Sequence, residues 1–250
     1  MIALLCLLLL IAPPAHATVE RPAFAPRIGA QLDLSARLTD ADGRSVTVAE
    51  VLEGRPALVV FGYDRCPNLC GVTQQAVAAG LRASGLKADA YRALFVSIDE
   101  TETPADARAK KEELLRFTDA SGLSAWRFLT GADGGGARLA AQAGIAFDRR
   151  DRIRQYVHPI AVLALTPQGR IAQVLPALSF EPRDLRLALV EASAGRLGSI
   201  ADHVFLLCAG FDPTKGQYNP AVWAGLRAGG LVTVLLLGGA IALFAWRRRA

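Results

Sequence analysis

Short apolar runs and segments with helical spacing of apolar residues follow one another along most of the chain. The runs are rich in β-branched and aromatic residues, which is typical of buried strands. They predict strands at 57–61, 93–98 and 126–129 and a hairpin of 160–165 with 170–175. The helical patterns predict helices from Pro67 to about Leu81 and at 103–118, 137–143 and 182–193. An earlier strand pair, 32–34 with 46–48, flanks an Asp-Gly turn. This order predicts an α/β fold with one mixed central sheet flanked by helices.

The two ends of the chain have the pattern of targeting segments. Ile2 to Ile11 form a short apolar core, which Pro13-Pro14 and then Ala15-His16-Ala17, a small-x-small cleavage pattern, follow. Near the other end, 228–246 carries no charge and would be about 28 Å long as a helix, close to the hydrocarbon thickness of a bilayer. Arg247, Arg248 and Arg249 follow it and favour a cytoplasmic C-terminus.

These segments predict an exported domain held at the cytoplasmic membrane by one helix. The predicted parts are a signal peptide (1–17), a folded domain (18–198), a juxtamembrane segment (199–227), a membrane span (228–246) and a cytoplasmic tail (247–250). Three units of the net charge of +5 belong to the tail arginines, which leaves about +2 for the rest. Because no basic stripe with interleaved aromatic residues is present, the sequence does not favour nucleic-acid binding.

Two cysteines four residues apart, Cys66 and Cys70, carry the strongest chemical signal. Cys66 follows a predicted buried strand and lies at the start of a predicted helix, where unpaired N–H groups and the helix dipole favour a thiolate. Arg65 lies beside it, and Cys70 lies one helical turn later on the same face. Such a pair can bind a soft metal ion, exchange disulfides or form a structural disulfide. The mature chain would keep an odd number of cysteines, which argues against a purely structural framework.

Three further positions could contribute to a site. His158 lies just before a predicted buried strand, and with two thiolates a neutral imidazole suits copper, or zinc with an added ligand. Cys208 is expected to be a buried, inert thiol near the membrane; exchange with the cysteine pair, or metal binding together with His203, is the alternative. The acidic residues at 99–102 follow a strand and are expected to cap the next helix, with support of the site as the alternative.

The motifs together resemble the Sco/SenC family of thioredoxin-fold copper proteins, which help to assemble the binuclear copper centre of cytochrome c oxidase. The resemblance covers about residues 28–192 and rests on FGYDRCPNLC (61–70), FVSIDETETP (95–104) and HPIAVLALTPQGRI (158–171). It implies a thioredoxin-like fold and copper ligands at Cys66, Cys70 and His158. It also places the family's acidic strand-end residue at Asp99.

Two details of the motifs bear on this resemblance. Asn68, Gly71 and Val157 stand where the family usually has Asp, Pro and Asp. The family's fold also suggests that the peptide bond before Pro159 is cis, as in other thioredoxin-like proteins, although an ordinary trans bond fits the sequence equally well.

The sequence therefore favours a membrane-anchored metallochaperone that carries Cu(I) or Cu(II) to an apo copper site, which the resemblance places in a cytochrome c oxidase subunit. The alternative is an enzyme, a thiol–disulfide oxidoreductase that reduces the acceptor's cysteines before metal insertion. In that case Cys66 would attack and Cys70 would resolve. A peroxide-reducing enzyme is disfavoured, because the segment before Cys66 lacks the Thr with which such enzymes polarise the peroxide.

Overall fold

The structure is a computed structural model that describes residues 24–118, 120–131, 133–150 and 155–195 and the short pieces 211–212, 217–218, 228–235 and 237–238. The strands are β1 Arg37–Asp40, β2 Ser45–Thr47, β3 Ala57–Gly62, β4 Arg92–Ser97, β5 Trp126–Thr130, β6 Asp148–Arg150, β7 Gln155–Val157, β8 Ala161–Leu165, β9 Ile171–Pro176, β10 Phe211–Asp212 and β11 Gln217–Tyr218. The helices are α1 Val48–Leu52, α2 Leu69–Ala83, α3 Pro104–Leu115, α4 Ala120–Leu123, α5 Gly135–Gln142 and α6 Pro182–Ser193.

Seven of the strands form one mixed sheet, as the sequence predicted. Their order is β2-β1-β5-β4-β3-β8-β9. The central strands β5, β4 and β3 run parallel to one another, whereas β8 pairs antiparallel with β3 and β9 antiparallel with β8. Parallel neighbours require crossover connections, and α2 supplies the one between β3 and β4.

Alternating side chains of β3 belong to two hydrophobic clusters, because successive residues of a strand point to opposite faces. Leu58 and Val60 pack with α2, α3 and α6, while Ala57, Val59 and Phe61 pack with α1 and α5. All six residues of β3 are buried. The cysteine-bearing loop therefore starts from a strand that is covered on both faces.

The first predicted strand was wrong in position. Leu32 donates its N–H to the carbonyl of Gly169 (3.0 Å), and the Asp33 carboxylate accepts hydrogen bonds from the N–H and hydroxyl of Ser35. Such local side-chain bonds favour a turn over a strand. The hairpin forms later, with Leu38 opposite Val46.

Two predicted helical features also differ. Val48, expected in a strand, begins α1, since Thr47 and Glu50 form a capping box. Leu69 and Val72, which fit the helical pattern of α2, are 46% and 47% exposed, because the helix buries the face that carries Cys70 and Val77. The β6–β7 hairpin was not predicted.

Several predicted segments lie wholly or partly outside the described residues: the signal peptide, most of the juxtamembrane segment with His203 and Cys208, the tail, and residues 236 and 239–246 of the span. Residues 228–235 and 237–238 are helical. In the described part of the chain, no helix is both long and apolar enough to cross a membrane.

Candidate metal centre

Three loops meet at one edge of the central sheet. The loop of residues 63–68 follows β3, and residues 98–103 follow the parallel strand β4, so both lie at the same edge. Because β8 is antiparallel to β3, His158, which precedes β8, lies at this edge as well. The sheet order thus brings the two cysteines, the acidic segment and His158 into one region.

Cys66 lies in the turn between the end of β3 and the start of α2. Its N–H donates to the carbonyl of Tyr63 (3.2 Å), and helix α2 begins at Leu69, after Asn68 at the N-cap position. The amides of Asn68 and Cys70 donate to the Cys66 sulfur. The sequence predicted unpaired backbone N–H groups at this helix start.

Cys70 is 2% exposed and packs in the hydrophobic cluster below α2. Gly62 makes room for it, because a Cβ built on that residue would lie 3.1 Å from the Cys70 sulfur and 3.0 Å from the Phe95 ring. Cys66, by contrast, is only partly buried and can meet a partner, and both cysteines are free thiols.

The two thiols have opposite acidities. A hydrogen bond from the Cys70 thiol lowers the pKa of Cys66 to about 5, against the effect of burial and with further help from the amides and the neighbouring Tyr63 hydroxyl. Donation of that same proton to Cys66, together with burial, raises the pKa of Cys70 far above its usual range. At neutral pH the pair therefore holds one thiolate and one thiol.

Alkylation should report this difference directly. In a Cys208→Ala background, iodoacetamide should modify Cys66 and spare Cys70 at pH 7. The rate at Cys66 should rise as pH increases through about 5, since the thiolate is the reactive form, and should level off above that. Mass spectrometry of the labelled peptide measures it. The Cys70→Ala variant, which loses the donor, should shift the midpoint upward; a wild-type midpoint at an ordinary thiol pKa would contradict the assignment.

His158 lies beside Tyr63, which packs between it and Tyr156. The Tyr63 and His158 rings have centroids 6.2 Å apart, edge to face, and the Tyr63 and Tyr156 rings 5.4 Å. His158 Nδ1 lies 3.1 Å from the carbonyl oxygen of Pro159, a contact that favours the tautomer with a proton on Nδ1 and leaves Nε2 free. Burial lowers the pKa of His158, partly opposed by that carbonyl and by Cys66. The ring is thus neutral at pH 7, as a metal ligand must be.

The peptide bond before Pro159 is trans, and no cis bond occurs in the described segments. The cis alternative is therefore wrong. Among the residues that the structure describes, no three His, Cys, Asp or Glu side chains are arranged to hold a metal ion. The contacts bring Cys66 and Cys70 together, and the ligand set of Cys66, Cys70 and His158 stays a prediction.

The Arg65 side chain is bound by the acidic segment that follows β4. Its guanidinium contacts Asp99 (3.2 Å), the Thr101 hydroxyl (2.6 Å) and Glu102 (3.5 Å). Burial tends to raise the pKa of Asp99, but hydrogen bonds from Thr101 and the charge of Arg65 lower it overall. Asp99 is therefore an ionised partner of the arginine that precedes Cys66.

The acidic residues at 99–102 do not cap the next helix, and their contacts fit the alternative, support of the site. The cap of α3 is a box between Thr103 and Asp106, whose carboxylate accepts from the Thr103 N–H (2.7 Å) and hydroxyl (2.8 Å). Glu102 instead turns inward, toward the loop that carries Cys66. Sequence reasoning missed this contact, since nothing in the local pattern distinguishes Glu102 from a solvent-exposed helix-start residue.

A second link joins the two halves of the site. The side-chain amide of Asn68 donates to Gln155 in β7 (3.3 Å), which ties the cysteine turn to the hairpin that leads to His158. A cavity of about 200 Å³ lies at this edge of the sheet, lined by Tyr63, Arg65, Asp99, Thr101, Arg149 and Tyr156. A larger one, about 340 Å³, lies at the far end of α2, and the lining of neither cavity includes a predicted ligand.

The fold and the cysteine pair together define a thioredoxin-like α/β domain with a dithiol site at the start of its first long helix. The profile of the SCO1/SenC family matches residues 26–191, which is most of the chain. The chain belongs to the SCO1/SenC family. No curated protein matches it in sequence.

Solved structures resemble the chain in fold. The putative electron transfer protein from Aquifex aeolicus VF5 has a TM-score of 0.60 at 17% identity, over 71% of this chain and 99% of that one. BsSco, described as a member of the Sco family of cytochrome c oxidase assembly proteins, has a TM-score of 0.52 at 18% identity, over 68% and 97%. Yeast Sco1 with copper bound has a TM-score of 0.51 at 18% identity, over 72% and 94%.

Proposed function

We propose that this protein is a membrane-anchored metallochaperone, which binds copper as cargo through Cys66, Cys70 and His158 and passes it to an apo copper site. The acceptor is a protein with a copper site, and membership of the family favours a cytochrome c oxidase subunit. Yeast Sco1 was solved with copper bound, and BsSco is described as belonging to a family of assembly proteins for that oxidase.

One observation carries this proposal. Cys66 and Cys70 share a hydrogen-bonded proton at the start of α2, so that one sulfur is already a thiolate and the other lies against it. Cu(I) prefers soft thiolate ligands. Binding of the ion would release the shared proton to solvent, because Cys70 has to lose its proton before its sulfur can serve as a thiolate ligand.

The protonation state and the tautomer of His158 suit the role of a third ligand. Its ring is neutral at pH 7, and the Pro159 carbonyl next to Nδ1 leaves Nε2 available. A hydrogen bond from the other ring nitrogen to a carbonyl is the usual way in which proteins orient a ligating imidazole. Imidazole also suits Cu(II), so His158 would widen the range of oxidation states that the site accepts.

Release would proceed by ligand exchange. An acceptor thiolate or imidazole approaches the partly exposed Cys66 and displaces one ligand while the others still hold the ion. The exposed side chains of Leu69 and Val72 lie on the first turns of α2, the helix that carries Cys70. They offer an apolar contact surface to a docked acceptor.

Copper titration of the reduced protein tests the function. We expect one tightly bound Cu(I) per chain, followed by transfer to a reduced apo protein with a thiolate-rich copper site, monitored by absorbance of the acceptor centre. Prior alkylation of Cys66 should prevent loading. Failure of the reduced, folded protein to bind Cu(I) more tightly than the alkylated sample would refute the proposal.

A thiol–disulfide oxidoreductase is the second candidate, and the unequal acidities of the two thiols favour it specifically. The Cys66 thiolate would attack an acceptor disulfide and release one acceptor thiol, and Cys70 would then resolve the mixed disulfide. The products are a Cys66–Cys70 disulfide and two acceptor thiols. This reaction does not need His158, so a His158 variant with unchanged disulfide exchange and lost copper binding would separate the two functions.

Export and anchoring belong to the proposal as well. The apolar segment 228–246, followed by three arginines, supports a single span in the cytoplasmic membrane with the folded domain on the periplasmic side. The N-terminal apolar core and its small-residue motif support removal of residues 1–17.

Reporter fusions check this topology. A reporter fused after Ala250 should lie in the cytoplasm. A reporter fused after Leu197, upstream of the span, should lie outside the cytoplasm. Replacement of Arg247, Arg248 and Arg249 by neutral residues should blur this orientation, while the copper-binding domain stays folded. An exported C-terminus in the native chain would rule out the orientation.

A further inference from the structure

Glu102 is a charged side chain buried under the cysteine loop. Its side chain is 0% exposed, and it lies in the segment that follows β4, across the sheet edge from Cys66. A carboxylate in such a position is costly unless hydrogen-bond donors surround it. Glu102 has several of them, and they come from two different segments of the chain.

The donors divide between the two carboxylate oxygens. Oε2 accepts from the backbone N–H of Asp64 (2.7 Å) and from the Ser97 hydroxyl (2.6 Å), while Oε1 accepts from the backbone N–H of Arg65 (2.7 Å). Asp64 and Arg65 are the two residues directly before Cys66. One carboxylate therefore holds the backbone of the cysteine loop to the end of β4.

This bridge fixes a part of the chain that regular secondary structure leaves free. Between the end of β3 at Gly62 and the start of α2 at Leu69, the amides of Asp64 and Arg65 have Glu102 as their acceptor, and Cys66 donates to Tyr63 within the loop. Short bonds to a charged acceptor are stronger than neutral ones and restrict geometry. The two amides directly before Cys66 are thus held by a residue more than thirty positions away in sequence.

We infer that Glu102 is a positioning residue for the dithiol site, because it holds the backbone directly before Cys66 in place and so keeps that sulfur close to Cys70. Ser97 acts with it, since its hydroxyl donates to Oε2 while accepting the N–H of Asp99 (3.0 Å). Glu102 touches neither sulfur and acts through the loop backbone. For copper, this inference rests on the proposed function.

Glu102→Gln is the first test variant, because glutamine keeps the shape and replaces one acceptor oxygen by an NH₂ group. That group cannot accept from a backbone N–H, so one of the two loop amides loses its partner. We expect the affinity for Cu(I), measured by competition with a chromophoric chelator, to fall about tenfold or more. Substitution of residues that support metal ligands typically has effects of this size. Ser97→Ala should cause a smaller loss in the same direction.

A second measurement does not depend on copper. Equilibration with glutathione converts the reduced pair and one glutathione disulfide into the Cys66–Cys70 disulfide and two glutathione thiols. Glu102→Gln should shift this equilibrium about tenfold, because a looser loop lowers the effective concentration of one sulfur near the other. If the wild type fails to bind copper but the disulfide equilibrium shifts as expected, the proposed function fails and the positioning role stands.

Glu100→Gln is the matched control. Glu100 belongs to the same acidic segment but is exposed, so both measurements should match the wild type. Thermal unfolding of each variant separates positioning from stability. If Glu102→Gln and Ser97→Ala lower the melting temperature but keep copper affinity and the disulfide equilibrium within twofold of the wild type, Glu102 is merely structural and the inference is overturned. Should Glu102→Gln fail to fold, Ser97→Ala decides by the same criterion.

Discussion

Replacement of either Cys66 or Cys70 by serine should abolish tight Cu(I) binding. Each change removes a soft ligand and leaves a hydroxyl, which is a poor partner for Cu(I). Replacement of a residue that supports a metal ligand typically lowers the affinity by up to roughly 100-fold. The loss of affinity should be larger here, because the ligand itself disappears. Chelator competition on the reduced protein measures it.

The two variants should also differ from each other in thiol reactivity. In Cys66→Ser the remaining Cys70 stays buried and should react slowly, whereas in Cys70→Ser the remaining Cys66 is accessible and should react readily. Cys208→Ala is the control, because it removes a thiol from the chain without touching the pair, and its copper stoichiometry should remain one. Tight Cu(I) binding by either pair variant would exclude the dithiol as the cargo site.

His158→Ala should weaken Cu(II) far more than Cu(I). Two thiolates alone can satisfy the soft ion, while Cu(II) gains more from an imidazole nitrogen. We expect a loss of about 100-fold or more for Cu(II) and less than about tenfold for Cu(I). The comparison requires both titrations on the same preparation, with the intensity of the thiolate-to-Cu(II) absorption band as an independent measure of coordination.

His203→Ala serves as the control for this variant, because it removes the other histidine of the mature chain. Its two affinities should equal those of the wild type. Equal losses for Cu(I) and Cu(II) in His158→Ala would remove His158 from the ligand set. They would assign it a packing role against Tyr63, whose ring it contacts edge to face.

Local sequence patterns were sufficient to predict most of the sheet. The apolar run at 57–61 became β3, the run at 93–98 became β4 with a shift of one residue, and the final helix at 182–193 was predicted without error. Such runs are informative because a strand buried on both faces has to be continuously apolar. The hairpin at 32–34 failed for the opposite reason, since the turn-forming side chain of Asp33 competes with strand pairing.

The sequence by itself determined the chemical type of the site: two cysteines at helical spacing, placed where a strand turns into a helix, with a histidine before another strand. It favoured Cys66 as the thiolate, but it could not show that the Cys70 thiol donates its proton to that sulfur. That depends on burial of Cys70 in the space above Gly62 and on amide groups directed at Cys66. Nor could it show that Arg65 turns away to Asp99.

The inward turn of Glu102 was likewise decided only by tertiary structure. Its partners Asp64 and Arg65 lie on a different loop, and only the parallel pairing of β3 with β4 brings the two loops to one edge of the sheet. The periodicity of apolar residues indicates which face of an element is buried. It does not show which distant backbone amide a side chain contacts. The residue types of the candidate site can therefore be predicted from the local sequence, whereas their positions and acidities arise from contacts between segments that only the folded sheet brings together.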